Sequence, residues 1–197
     1  MTSFKPSGNF VFLAGMLIAL GAGWVGFPYA IYRTRPQPVN FSHKVHAEKA
    51  GTKCEDCHAF REDGTYAGLP TLDKCSACHA APMGTTAAEK AFIEQYVTPN
   101  REPRWASYAR QPENVYFSHV THVKTAGMKC ETCHGNTGAT DSLRPYQEDR
   151  ISGYSRDIWG RPLANAAFRS EGGMRMDDCV ACHRRQGLEH SCLDCHK

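Results

Sequence analysis

Five copies of Cys-x-x-Cys-His take up every cysteine of this chain: Cys54-Cys57-His58, Cys75-Cys78-His79, Cys130-Cys133-His134, Cys179-Cys182-His183 and Cys192-Cys195-His196. Two thiols separated by two residues can form thioethers to the two vinyl groups of a haem, and the adjacent histidine supplies one axial iron ligand. Zinc, an iron–sulfur cluster or a redox dithiol also use Cys-x-x-Cys, but none needs a histidine directly after the second cysteine. The motifs therefore predict five covalently bound haem c groups.

That number constrains the fold. The chain has 197 residues, too few to enclose five macrocycles in an ordinary apolar core. The haems must form much of the core, held by short helices and loops. The expected fold class is mainly α with extensive loops and little or no sheet. Seventeen glycines and eleven prolines agree with it. The formal charge of +3 does not indicate nucleic-acid binding, because two propionates on each haem turn the balance negative.

Phe10 to Tyr32 carries no charge and is flanked by Lys5, Arg33 and Arg35. As a helix it spans about 34 Å, enough for a bilayer core. Trp24, Tyr29 and Tyr32 lie toward its far end, where aromatic rings favour the interface. Small residues at Ala19-Leu20-Gly21 and Gly21-Ala22-Gly23 offer signal-peptidase sites, but the apolar run continues past both, which favours a retained signal anchor. Residues 1–9 then form a cytoplasmic N-terminus and 10–32 a single transmembrane helix. Attachment of haem to such motifs takes place outside the bacterial cytoplasm, so the remainder is expected on the periplasmic side of the cytoplasmic membrane.

An internal repeat divides that remainder. Pro36–His58 aligns without gaps on Pro112–His134, with 13 of 23 positions identical, including Phe-Ser-His-x-x-His. Unit one covers 33–111 with two motifs, and unit two covers 112–197 with three. Thr86-x-x-Glu89 reads as a capping box opening a short helix that Pro99 ends. Phe92, Ile93 and Tyr96 of that helix cover either a haem edge or the junction between units. Gly135–Asp178 has no sustained period and reads as an excursion between the third and fourth motifs, either a partner surface or a long loop.

Five histidines remain outside the motifs: His43, His46, His119, His122 and His190. Four recur as His-x-x-His at one distance before a motif. On a helix, residues three apart share a face yet diverge enough to serve two neighbouring haems, so these four are candidate distal ligands. His190 is left for the fifth haem by elimination, but its short tether to Cys192 also suits haem four, which would leave His122 for haem five. Met174 and Met176 compete there. Ten ligands for five irons leave no open coordination position, so electron transfer, not catalysis by the chain itself, is expected.

The paired Phe-Ser-His-x-x-His resembles the small multihaem class III cytochromes c, in which such a pair ligates two different haems. The resemblance implies His43 on haem one, His46 on haem two, His119 on haem three and His122 on a haem of unit two. The position of His190 departs from that pattern. The anchor, the five motifs and WASYARQPENVYFSHVTHVKTAGMKCETCHG (Trp105–Gly135) are together similar to the pentahaem cytochrome c subunit of bacterial alternative complex III. That family implies a quinol-oxidising complex with iron–sulfur and polytopic membrane subunits, relaying electrons to a periplasmic cytochrome c or copper protein. Alternatives are a pentahaem donor to a periplasmic reductase and an anchored multihaem quinol dehydrogenase. The latter characteristically has a methionine shortly after the first motif, where this chain has Ala59 and Phe60.

Overall fold

A computed structural model of the protein describes residues 7–158, 175–189 and 191–197. The apolar run is helical. α1 (Gly8–Gly21) begins at Ser7, whose hydroxyl accepts the Phe10 N–H at 3.4 Å, and passes through a π-helical turn, Ala22–Gly26, into α2 (Phe27–Ile31). The turn lies just before Pro28, which has no N–H to continue the α ladder. Gly21, Ala22, Gly26 and Phe27 all keep right-handed helical dihedrals, so the backbone runs without a break from Gly8 to Ile31. Taken singly, no helix among the described residues is long and apolar enough to cross a membrane.

The chain then extends as β1 (Tyr32–Arg35), paired antiparallel with β2 (Tyr146–Asp149), Arg33 opposite Glu148. This small sheet falls within the expectation of little or no sheet, and charge explains its position. Side chains two apart share a strand face, so Arg33 and Arg35 converge on the Glu148 carboxylate, Arg35 at 2.8 Å. Glu148 is buried, whereas the arginines stay half-exposed. Beyond β2 the Asp149 carboxylate accepts the N–H groups of Ile151 and Ser152 at 2.8 and 2.9 Å, and Gly153 supplies the left-handed turn at φ +73°. The excursion after the third motif thus folds back to hold the segment that leaves the helix.

The other helices are short. α3 (His43–Lys49) is capped by the Ser42 hydroxyl, which accepts the Val45 N–H at 3.2 Å. α4 (Cys54–Cys57), α5 (Leu72–His79), α7 (Glu131–His134) and α8 (Met176–Arg185) carry motif cysteines, and a 3-10 turn, Cys192–Asp194, carries the fifth motif. Aspartates within or beside three motifs start their turns: Asp56 accepts the Lys53 N–H, Asp178 that of Arg175 and Asp194 that of Ser191. α6 (Ala87–Phe92) continues as a π-helical turn to Val97, and a π-helical segment, Val120–Thr125, stands in unit two where α3 stands in unit one.

Helices this short do not persist alone, and the polypeptide offers little core to hold them. Among the described residues the buried apolar side chains are Leu72, Phe92, Tyr146 and Ile158. The chain exposes 14417 Å², whereas a compact monomer of 21.9 kDa exposes about 9,300 Å². The helix from Gly8 accounts for part of the excess.

The two units meet at a tight turn. Gly64, at φ +67°, accepts the Val120 N–H at 3.0 Å, and Thr65 O lies 3.0 Å from His119 Nδ1. A Cβ on Gly64 would stand 2.6 Å from Val120 Cγ2. Lys124 pairs with Glu55 of the first motif at 3.0 Å. Unit one therefore holds the backbone that presents the distal-histidine candidates of unit two.

Two outcomes follow from these contacts. The Arg33 hydrogen bond, aided by Arg35, holds the Glu148 carboxyl below the usual carboxylate range. A depressed folded pKa stabilises above the unfolded value of about 4.3, and the gain is lost as pH falls through the folded value. Glu148→Gln should cost about 1–2 kcal/mol at pH 7, and its melting deficit by circular dichroism should close toward acid pH. Gly64→Ala should destabilise by about 2–3 kcal/mol through left-handed strain plus the Val120 clash, and adding Val120→Ala should restore only the clash component.

Candidate haem centres

Each repeat builds the same local device from Phe-Ser-His-x-x-His. In unit one the Phe41 ring stacks on His46 at 4.4 Å between centroids and meets His43 edge-on at 4.9 Å. In unit two Phe117 stacks on His122 at 4.6 Å and meets His119 edge-on at 4.8 Å. The serine carbonyl then faces the second histidine, Ser42 O at 2.7 Å from His46 Nδ1 and Ser118 O at 2.8 Å from His122 Nδ1. Phenylalanine braces the rings and serine orients one of them. The spacing survives although one copy is α-helical and the other π-helical.

Four motif histidines lie opposite these four. Ring centroids are 6.4 Å apart for His43 and His58, 6.1 Å for His46 and His79, 6.4 Å for His119 and His134, and 6.1 Å for His122 and His183. An imidazole nitrogen sits about 2 Å from a metal it ligates and roughly 1 Å from its own ring centre, so two imidazoles opposed across one iron have centroids about 6 Å apart. All four pairs fit that separation. Three are close to parallel, at 24°, 5° and 9°, while His46 and His79 are twisted by 55°.

Five of these eight rings have Nδ1 against an acceptor, which holds them in the ligating tautomer. A histidine that donates Nδ1–H to an acceptor presents Nε2 as the free lone pair. His58 Nδ1 lies 2.9 Å from Gly68 O, and His119 Nδ1 3.0 Å from Thr65 O. With His46 and His122 this makes four rings held by peptide carbonyls. His79 is held instead by a carboxylate, Glu89 Oε1, at 2.8 Å. Burial, with lesser contributions from neighbouring histidines, pushes the pKa of His43 and His134 below the ordinary value and keeps both neutral, as ligation requires.

Glu89 carries a role that sequence reasoning missed. Thr86 caps the Glu89 N–H at 3.2 Å as expected, but the Glu89 carboxylate takes the Met83 and Gly84 N–H groups and His79. A capping box was half the reading. A carboxylate ten residues after a motif histidine was the signal available. Phe92 meets His79 edge-on at 6.0 Å and Tyr96 donates to Pro38 O at 3.3 Å, so this helix covers both a candidate centre and the chain entering unit one.

The cysteines follow the rings. Burial is the first cause of raised pKa at Cys75, Cys130 and Cys133, followed by Cys57, Cys54 and Cys182 respectively as charged neighbours. Cys179 is pushed up to about 11 by burial and then by Cys133, with Cys195 also near. Among the described residues no group of three or more His, Cys, Asp or Glu side chains gathers as a metal cage. Motif one therefore adjoins motifs two and three, and motif three adjoins motif four.

The fifth motif is placed by its backbone: Tyr116 N donates to Cys195 O at 2.8 Å and Lys197 N to Asn114 O at 3.0 Å. His190 and Met174 lie outside the described residues, so the fifth distal position rests on sequence. Met176 opens α8 and is 53% exposed, and His122 faces His183 of motif four.

Comparison with known proteins agrees with this geometry. The class III cytochrome c family matches residues 28–102, and cytochrome c7 and related cytochromes c match 115–197. A curated relative, the multihaem cytochrome c subunit of menaquinone reductase from Nitratidesulfovibrio vulgaris Hildenborough, is 34% identical over 201 residues, covering 94% of this chain and 89% of the relative. Opposed histidines beside paired cysteines and these matches lead to one conclusion: the chain belongs to the multihaem cytochromes c of the class III and c7 type, proteins that carry covalently attached haem c.

Proposed function

We propose that this chain carries five haems c and relays electrons within a quinone-linked membrane complex. The four opposed imidazole pairs carry the reading, because an iron with two strong axial imidazoles has no open position for a substrate. His43 with His58 would hold haem one, His46 with His79 haem two, His119 with His134 haem three and His122 with His183 haem four. Cys192, Cys195 and His196 would hold haem five, with His190 as the candidate sixth ligand. Bound haem supplies reversible one-electron chemistry. The chain's part is to fix both ligands, exclude substrate and set spacing.

The residues also support an order. His43 and His46 share α3, so the first two centres adjoin. His119 and His122 share one turn, so the third and fourth adjoin. Gly64, Thr65 and Glu55 join the first centre to the segment carrying His119 and Lys124. The path runs two, one, three, four, with five beside four, where Cys195 neighbours Cys179. Chain order is not path order.

Membrane attachment is part of the proposal. The unbroken helical backbone from Gly8 to Ile31 is about 36 Å long, and Phe10, Phe12, Leu17, Ile18 and Trp24 are exposed on several sides of it. Such a helix suits lipid, with the haem-bearing part on the periplasmic face. Iron–sulfur and polytopic membrane subunits would be its partners. The relative's name favours electron delivery to menaquinone, whereas the resemblance over Trp105–Gly135 favours quinol oxidation toward a periplasmic cytochrome c or copper protein, as in alternative complex III. Both need the same relay.

Five experiments test this. Intact mass of the native protein should show five added haems, and low-temperature EPR should show low-spin signals only. His122→Ala should turn one haem high-spin and able to bind carbon monoxide, whereas an unchanged spectrum would remove His122 from the ligand set. Purification in mild detergent should bring quinone-reacting membrane subunits along, and isolation of a lone protein would overturn the complex. Mixing that complex with a menaquinol analogue or with a reduced periplasmic cytochrome should reveal, by which one reduces the haems, the direction of flow.

A further inference from the structure

His79 differs from the other oriented ligands in what holds it. His46, His58, His119 and His122 face peptide carbonyls, which are neutral dipoles, while His79 Nδ1 lies 2.8 Å from Glu89 Oε1. That carboxylate is itself fixed. Its Oε1 accepts the Met83 N–H at 2.7 Å, its Oε2 accepts the Gly84 N–H at 2.9 Å, and its backbone N–H donates to Thr86 Oγ1 at 3.2 Å. The Glu89 side chain is 11% exposed, so solvent screens the contact little. The loop from Met83 to Thr86 therefore aims one full negative charge at one ligand.

We propose that Glu89 is a positioning residue that lowers the potential of haem two below the value the same imidazole pair would have without the carboxylate. A carboxylate accepting the Nδ1–H draws that proton toward itself without removing it, leaving more electron density on Nε2. A more basic axial ligand stabilises ferric iron over ferrous iron, so the potential falls. The peptide carbonyls at the other four rings exert the same pull more weakly. Haem two also ends the proposed path, so the carboxylate acts at a terminus, where an electron enters or leaves the chain's own centres.

This inference rests on the ligand reading above, and the experiment separates the two. The full-length haem-loaded protein in detergent is titrated by spectroelectrochemistry and EPR, with His46→Ala identifying haem two as the component that turns high-spin. Glu89→Gln should move that component alone to higher potential and shift its low-spin EPR signal, leaving the others in place. Glu94→Gln, which removes an exposed carboxylate from the same helical segment, should leave every potential unchanged. Should Glu89→Gln load haem poorly, Glu89→Asp, whose carboxylate reaches less far, should give a smaller upward shift. A loaded Glu89→Gln or Glu89→Asp protein with all potentials at wild-type values overturns the role of Glu89. His46→Ala that leaves every haem low-spin overturns the ligand reading beneath it.

Discussion

The structure depends on the opposed imidazole pair. Two rings must stand about 6 Å apart, each with Nε2 facing inward, and every nearby element serves that requirement. Carbonyls of Ser42, Gly68, Thr65 and Ser118 take up Nδ1, and Phe41 and Phe117 brace the rings. A polypeptide with few buried apolar side chains of its own can be ordered this way, because covalent and axial bonds replace much of the hydrophobic core. Short helices are then sufficient, since each has only to present a cysteine pair or a histidine at a defined angle.

The repeat makes the relay extensible. One Phe-Ser-His-x-x-His segment serves two centres, so each unit links its own first two, and backbone contacts of Gly64 with Val120 and of Lys44 with Thr140 are among those that join the units. The joint involves the first and third centres, not the second and third that adjoin in the chain. At the other end, the β1 and β2 pair ties the N-terminal helix to the excursion after the third motif through Glu148 and two arginines. The helix is thus fixed to the haem-bearing part through a partly buried ionic contact rather than a free tether.

Some of this was legible before any coordinates. The motifs, the duplicated histidines and the loop-rich composition lead directly to a multihaem cytochrome c with four candidate distal ligands. Glu89 was not legible as more than a capping residue, because a capping box and a ligand-orienting carboxylate use the same glutamate at the same position relative to Thr86. The sheet was not legible either. Tyr32–Arg35 and Tyr146–Asp149 are four residues each and lie over a hundred residues apart, so neither carries a periodic signal and only their mutual charge pairing makes them strands.

Sequence alone determined the chemistry: which sulfurs and imidazoles exist, how many haems they can hold, and that the histidine pairs recur in register. Spacing along the chain encodes these because covalent attachment and the motif histidine involve residues near one another in sequence. Tertiary structure decided which ring faces which, that His122 stands opposite His183, that the first and third motifs adjoin, and that one ligand meets a carboxylate. Those relations join segments tens of residues apart, and the folding back of loops, which has no periodic signature, is what sets them.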